Sequence, residues 1–278
     1  MRKKILLLPL LALACACTGN QTGNRTGEDS LAVDSVRSIR LDSVKCHLHK
    51  NLIEGKEAPS YDITYVLLEA QGNDDASRLF NEELARAFFG KEGIPVDSAM
   101  RTDADSLASS YTADLKEFYD PGCEDDFTFQ YTCERQASVA EDSYPGVAAY
   151  SVDMFSYTGG AHGNSIVTCL NLNLTTGRAI RYADFFVKGK ERETKGIIEK
   201  SFMVKNGCAS MGQLVEKTSI GSLGDIYVRD GNFLLLRDSV EFVYNPYEVA
   251  PYACGTITTR VAYSDLAPCI NKDVLPHE

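Results

Sequence analysis

The run Ser165-Ile166-Val167-Thr168-Cys169-Leu170-Asn171-Leu172-Asn173-Leu174-Thr175-Thr176-Gly177 decides the fold. Ile166, Thr168, Leu170, Leu172 and Leu174 recur at every second position, the period of a strand with one face turned inward. Thr175-Thr176-Gly177 is a turn signal, and the return strand includes Ile180 before Tyr182-Ala183-Asp184-Phe185-Phe186. A strand that doubles back through so short a turn pairs antiparallel with its neighbour.

Upstream, Phe127, Phe129, Tyr131 and Cys133 alternate in the same way, and 147 to 157 reads as another strand. The period is different before them. Asp74 to Phe89 gathers Leu79, Phe80, Leu84, Phe88 and Phe89 on one helical side, with Gly90 as its stop, and Asp97 to Tyr119 repeats Leu107, Tyr111, Leu115 and Phe118 up to Pro121-Gly122. Downstream, Lys190 to Lys205 is an amphipathic helix carrying Ile197, Ile198, Phe202 and Met203. Strands follow near 232–236, 240–244 and 256–263, with a short helix over 264–270. Strands in groups and helices apart from them predict an α+β fold. We read two modules, 39–155 and 156–278, each an antiparallel sheet packed against helices.

The first seventeen residues set the compartment. Arg2, Lys3 and Lys4 precede an apolar stretch from Ile5 to Ala16, which is too short to span a bilayer and reads as an export signal. Its end, Ala14-Cys15-Ala16-Cys17, resembles a bacterial lipobox with Cys17 as the lipidated residue. Residues 18–38 have almost nothing to bury and read as a flexible tether. The chain is therefore expected in the bacterial cell envelope, held at the membrane by its lipid alone, on the periplasmic side or the outer-membrane surface. Loss of the signal leaves 25 Lys and Arg against 39 Asp and Glu, a net charge of −14 where the full chain has −11. That balance argues against nucleic acid as a partner and favours cationic ones.

The candidate functional residues lie in two segments. Tyr157-Thr158-Gly159-Gly160-Ala161-His162-Gly163 and Pro246-Tyr247-Glu248-Val249-Ala250-Pro251-Tyr252-Ala253-Cys254-Gly255 combine permissive glycines, rigid prolines and aromatics. Tyr157, Gly159, Gly160, His162, Tyr247, Pro251 and Tyr252 are the candidate binding residues. An aromatic held by proline loses little freedom on binding. The plainer reading of Gly159-Gly160 is a tight turn between strands.

No catalytic group set is legible, and no cofactor is expected. The pair His47-x-His49 could offer two metal ligands from one strand face, but without a third partner in sequence it reads as solvent-facing, and no metal is expected. Cys133 and Cys169 occupy buried-looking strand positions, where thiols are inert. Beyond Cys15 and Cys17 there are seven cysteines, Cys46, Cys123, Cys133, Cys169, Cys208, Cys254 and Cys269, so at least one stays free or pairs between chains. Cys254 is read as a small buried side chain. Asp-Ser followed by an apolar residue, as at Ser30 and Ser35, resembles the O-glycan acceptor of Bacteroidetes envelope proteins.

Taken in order, Tyr-x-Gly-Gly-Ala-His-Gly, the Thr-Gly turn, Tyr-Ala-Asp-Phe-Phe, Asn-Pro-Tyr-Glu-Val-Ala-Pro-Tyr-Ala-x-Gly and Val-x-Tyr-Ser-Asp-Leu resemble a domain-of-unknown-function family. Its C-terminal module ends the RsiV-type lysozyme-sensing anti-sigma factors. Residues 40 to 150 resemble the partner module of PdaC-type peptidoglycan deacetylases. The resemblance implies a two-module ectodomain that binds a lysozyme-like protein or a peptidoglycan-derived glycan without catalysis. The alternative it leaves is a cell-wall glycan-modifying enzyme or an accessory subunit of one. The chain has four histidines, His47, His49, His162 and His277, and the deacetylase domain of such enzymes with its metal-binding histidines is not recognisable in it.

Overall fold

The computed structural model describes residues 39–119, 129–224 and 232–276. The export signal, Cys17, the tether with Ser30 and Ser35, the Pro121-Gly122 stop, Cys123 and His277 lie outside the described residues.

Strands β1 (Arg40–Asn51) and β2 (Ser60–Gln71) form a first antiparallel pair, His47 opposite Thr64 and His49 opposite Asp62. Helices α1 (Asp75–Phe89) and α2 (Val96–Phe118) follow, then β3 (Gln130–Val139), β4 (Val147–Tyr157) and β5 (Asn164–Asn173). These strands make one sheet in the order β1-β2-β3-β4-β5. The β2–β3 pair is parallel and departs from the all-antiparallel expectation, because α1 and α2 carry the chain back to the start of the sheet. Alternation along β2 explains the face the helices cover: Ile63, Tyr65 and Leu67 are fully buried against Phe80 and Leu84 of α1 and Met100 and Ala104 of α2.

Helix α1 begins where Asp74 accepts the Ser77 N–H at 3.0 Å and ends on Gly90 at φ 62°. In α2 the buried stripe is Val96, Ala99, Met100, Ala104 and Ala108, with Leu107 and Tyr111 half-buried. Small alanines let this helix lie close to the sheet, so burial is deepest N-terminal to the aromatic positions read from sequence. One charged side chain enters this layer. The Arg135 guanidinium lies over the rings of Tyr65 (4.7 Å) and Phe89 (5.0 Å), pairs with Asp103 at 3.2 Å and donates to the Phe88 carbonyl at 3.0 Å. Tyr65 donates to the same Asp103 at 2.7 Å.

The second body contains α3 (Tyr182–Phe185), α4 (Glu191–Lys205), α5 (Met211–Thr218), β6 (Phe233–Leu235), β7 (Ser239–Tyr244), β8 (Ile257–Ala262) and α6 (Tyr263–Leu266). The three strands form an antiparallel sheet in the order β6-β7-β8. Its core joins Phe185, Ile198, Phe202, Leu214, Phe233, Phe242, Tyr244 and Leu266. The architecture is mixed α+β. The return strand expected at Ile180 shrinks to one bridge, Leu172 with Ala179.

The boundary expected between 155 and 156 falls inside β4, and the sheet runs through it to Asn173. Gly159-Gly160 joins two strands of that sheet and does not separate two modules. The change from one core to the other comes after β5, and a small cluster of Ala149, Cys169, Leu234, Leu236 and Val243 packs the sheets together there.

Asparagines complete that junction. β5 is an edge strand whose outer backbone groups would otherwise be unpaired. Asn245 accepts from Val167 N–H at 2.7 Å and donates to its carbonyl at 3.0 Å. Asn232 accepts from Cys169 N–H at 2.9 Å while donating to the Val243 carbonyl at 3.0 Å. Buried Asn171 donates to the Phe233 carbonyl at 2.9 Å and accepts from Leu235 N–H at 2.7 Å.

Candidate functional site

The β4–β5 hairpin loop is built by its glycines. Gly159 and Gly160 sit at φ 95° and 97°, a region that side chains bearing a Cβ rarely adopt. Tyr157, half-buried at the end of β4, donates its hydroxyl to the Gly160 carbonyl at 3.0 Å and so closes the turn. Gly163 leaves room for a neighbour: a Cβ there would displace the Phe155 ring, whose Cε2 it would meet at 2.3 Å, and would press on the Ser156 carbonyl oxygen at 3.0 Å. Exposed His162 donates from Nδ1 to the Gly163 carbonyl at 2.9 Å.

The second segment starts from Asn245, which is fixed to β5 as described. Its own N–H donates to the Glu248 carboxylate at 2.8 Å, and Glu248 N–H returns to the Asn245 carbonyl at 3.1 Å. This closed turn holds Tyr247 at φ 72°, with the residue 68% exposed. Positive φ is uncommon for a bulky residue and costs on the order of 1–3 kcal/mol, so the surrounding bonds are holding an aromatic in a position it would not choose. Exposed Pro251 leads into a 3-10 turn over Tyr252–Cys254, which Gly255 ends at φ 66°.

The two segments, about ninety residues apart in sequence, meet here. The rings of His162 and Tyr252 stack at 4.1 Å between centroids and 22° between planes. Tyr252 donates its hydroxyl to the Gly163 carbonyl at 2.5 Å, and Tyr247 lies 5.6 Å from Tyr252. All seven sequence-derived candidates therefore fall on these two adjoining loops. Tyr157, Gly159 and Gly160 shape the hairpin, His162, Tyr252 and Tyr247 form a run of rings, and Pro251 sets the backbone that presents Tyr252. Sequence reading missed Asn245, Glu248 and Gly163, which hold the rings in place. Gly163 and Glu248 lie inside the two segments and Asn245 directly before the second, but the bonds that give them their roles, such as Asn245 to Val167 and Tyr252 to Gly163, cross about eighty to ninety residues.

The cysteines divide by burial. Burial pushes the thiols of Cys46, Cys133 and Cys169 upward, and no disulfide joins the six described cysteines. Cys254 is exposed and not buried as expected, because the 3-10 turn directs it outward over Thr218. A maleimide or dithiobis-nitrobenzoate reaction in native buffer is expected to modify Cys254 first. Cys133, Cys169 and Cys269 should stay protected until denaturant is added, and their immediate reaction would contradict the burial described.

Among the described residues no helix is long and apolar enough to cross a membrane. No curated protein matches the chain. Solved structures that share its fold include two of one family. One is a member of the DUF3298 family from Bacteroides fragilis, with TM-score 0.72 and 22% identity, covering 84% of this chain and 94% of that one. The other is a DUF3298 family protein from Pseudomonas aeruginosa, with TM-score 0.57 and 14% identity, covering 86% and 98%. Residues 183–264, from α3 to α6 and including the Tyr247–Tyr252 loop, match the family model of DUF3298, a protein family of unknown function.

Proposed function

We propose that this chain is a non-catalytic binding protein of the bacterial cell envelope, anchored by a lipid at Cys17. Its recognition face is the ring run His162-Tyr252-Tyr247 with Tyr157 and Pro251 at its margins. The partner is a lysozyme-like protein or a peptidoglycan-derived glycan, as the resemblance to RsiV-type and PdaC-type modules suggests. One observation carries the reading. Tyr252 stacks on His162 and is bonded to Gly163, so two separate loops hold a rigid aromatic surface beside an exposed tyrosine in a strained backbone. Pre-ordered aromatics of this kind dominate binding energies, because little freedom is left to lose. The net negative charge of the chain would steer cationic partners towards it.

Titration of the purified chain with lysozymes of several classes, and separately with soluble peptidoglycan fragments, tests this. Tyr247→Ala is the cleanest variant, since that ring is mostly exposed and its loss should leave the fold intact. It is expected to weaken binding by about 30-fold, the equivalent of roughly 2 kcal/mol. Tyr252→Ala should weaken it at least as much, and raised salt should weaken binding of a cationic partner further. If no lysozyme and no glycan binds saturably, or if Tyr247→Ala binds as the parent does, this face is not the recognition surface.

A further inference from the structure

His47 and His49 have the third partner that the sequence did not disclose. They project from the same side of β1, and Asp62 of β2 stands directly opposite His49. His47 Nε2 lies 3.3 Å from Asp62 Oδ1, and His49 Nδ1 lies 3.3 Å from Asp62 Oδ2. Thr64, opposite His47, donates its hydroxyl to Asp62 Oδ1 at 3.3 Å and steadies the carboxylate. We propose that His47, His49 and Asp62 form a surface site for a divalent transition-metal ion, with zinc as the best fit.

The chemistry of the donors selects the metal. Two imidazoles and one carboxylate, with water completing a tetrahedron, suit Zn2+ better than the all-oxygen preference of Ca2+ or Mg2+. The spacing agrees. Ligand atoms at the corners of a tetrahedron with metal bonds of about 2.05 Å are separated by about 3.3 Å, and each imidazole nitrogen lies at that distance from one carboxylate oxygen, His47 from Oδ1 and His49 from Oδ2. Among the described residues no group of three or more His, Cys, Asp or Glu side chains is placed to hold a metal ion as the side chains stand. Here each imidazole is paired with one oxygen of the carboxylate, and a bound ion would take the place of these pairings. The side chains of His47, His49 and Asp62 are 59%, 50% and 48% exposed, so an ion could reach them from solvent. Thr64 then plays the part of an outer partner that orients a ligand.

The site shares a surface with the ring run. The register aligns His49 with Asp62, Asp62 with Thr132 and Thr132 with Tyr157, one row across four strands. At about 4.8 Å per strand, Asp62 lies roughly 10 Å and His49 roughly 14 Å from Tyr157 across the sheet. The metal site does not depend on the recognition reading, and either can fail alone.

The test is titration of the metal-free chain with ZnCl2 and with CoCl2 as a spectroscopic probe. The expected result is one saturable equivalent, with a visible Co2+ spectrum of nitrogen and oxygen ligands and no thiolate charge-transfer band. Saturable binding should be lost in His47→Ala and in His49→Ala, and weakened about 100-fold in Asp62→Asn. Thr64→Val should weaken it about 10-fold. These side chains are at least half exposed or partly exposed, so circular dichroism should show the variants folded, and His47→Gln repeats the test with the bulk retained. Binding that is unchanged in both histidine variants would place the ion elsewhere, for example on the exposed Cys254, and overturn the proposal. Absence of saturable binding up to millimolar metal would overturn it as well.

Discussion

Gly177→Ala is expected to destabilise the protein by about 4 kcal/mol or more, with a fall in Tm of about 10 °C. Gly177 closes the Thr-Thr-Gly turn after β5 at φ 72°, and its N–H donates to the Asn173 carbonyl at 2.8 Å. Two costs add at this residue. Left-handed backbone alone costs an alanine on the order of 1–2 kcal/mol. In addition, a Cβ would stand 1.9 Å from the carbonyl oxygen of Ala76 and 2.8 Å from the backbone nitrogen of Phe80, both in the first turns of α1. Backbone atoms in a helix cannot move aside as the end of a side chain can, so either the turn or α1 must shift away from the sheet. Gly90→Ala separates the two costs, because Gly90 has a similar φ of 62° and no atom within 4 Å of the added carbon. That variant should lose only about 1 kcal/mol. Equal losses for the two variants in denaturant unfolding would mean that the turn does not press on α1.

The same residue shows how far sequence reaches. Thr175-Thr176-Gly177 was legible as a turn because its local chemistry suffices, but nothing nearby in sequence indicates that α1 lies against it. The observed bounds of β4 match the sequence reading and those of β5 match it within one residue, although β4 is buried on both faces from Val147 to Tyr150 and β5 buries Cys169 and Asn171 on the face opposite Leu172. β1 has no such match: it is an edge strand on which Cys46 alone is buried from Arg40 to Asn51. Ile63, Tyr65 and Leu67 of β2 do alternate, the period of a strand with one buried face. The parallel β2–β3 pairing is a matter of topology, which periodicity does not encode. The sheet runs past 155/156, and the sequence does not disclose this because Gly159-Gly160 carries the same residues whether it ends a module or turns a hairpin. At the candidate site the rings were legible and their supports were not. Asn245 and Glu248 act through backbone groups, and Asp62 reaches His47 and His49 only across a strand pair.

Asn171→Ala is expected to cost about 3–4 kcal/mol, a loss that would show how the two cores are held together. Asn171 is 1% exposed, and the backbone groups it serves, Leu235 N–H and the Phe233 carbonyl, belong to residues that are themselves buried. Alanine removes both bonds and leaves two buried polar groups without partners, each worth about 1–3 kcal/mol, together with a small cavity. Asn171→Asp should also destabilise, since it retains an acceptor for Leu235 N–H but sets a carboxylate against the Phe233 carbonyl. Asn245→Ala provides the contrast. Asn245 makes the same kind of two-bond contact to Val167, but it is only half-buried, so water can replace the lost partner and about 1 kcal/mol should go. A loss below 1 kcal/mol for Asn171→Ala would mean that the cluster around Ala149 and Leu236 joins the sheets without the asparagines. The predicted order, Asn171 well above Asn245, has a functional corollary. Asn245 anchors the loop that holds Tyr247, so its alanine variant should weaken partner binding more than its small stability cost accounts for, whereas Asn171→Ala should lower stability first.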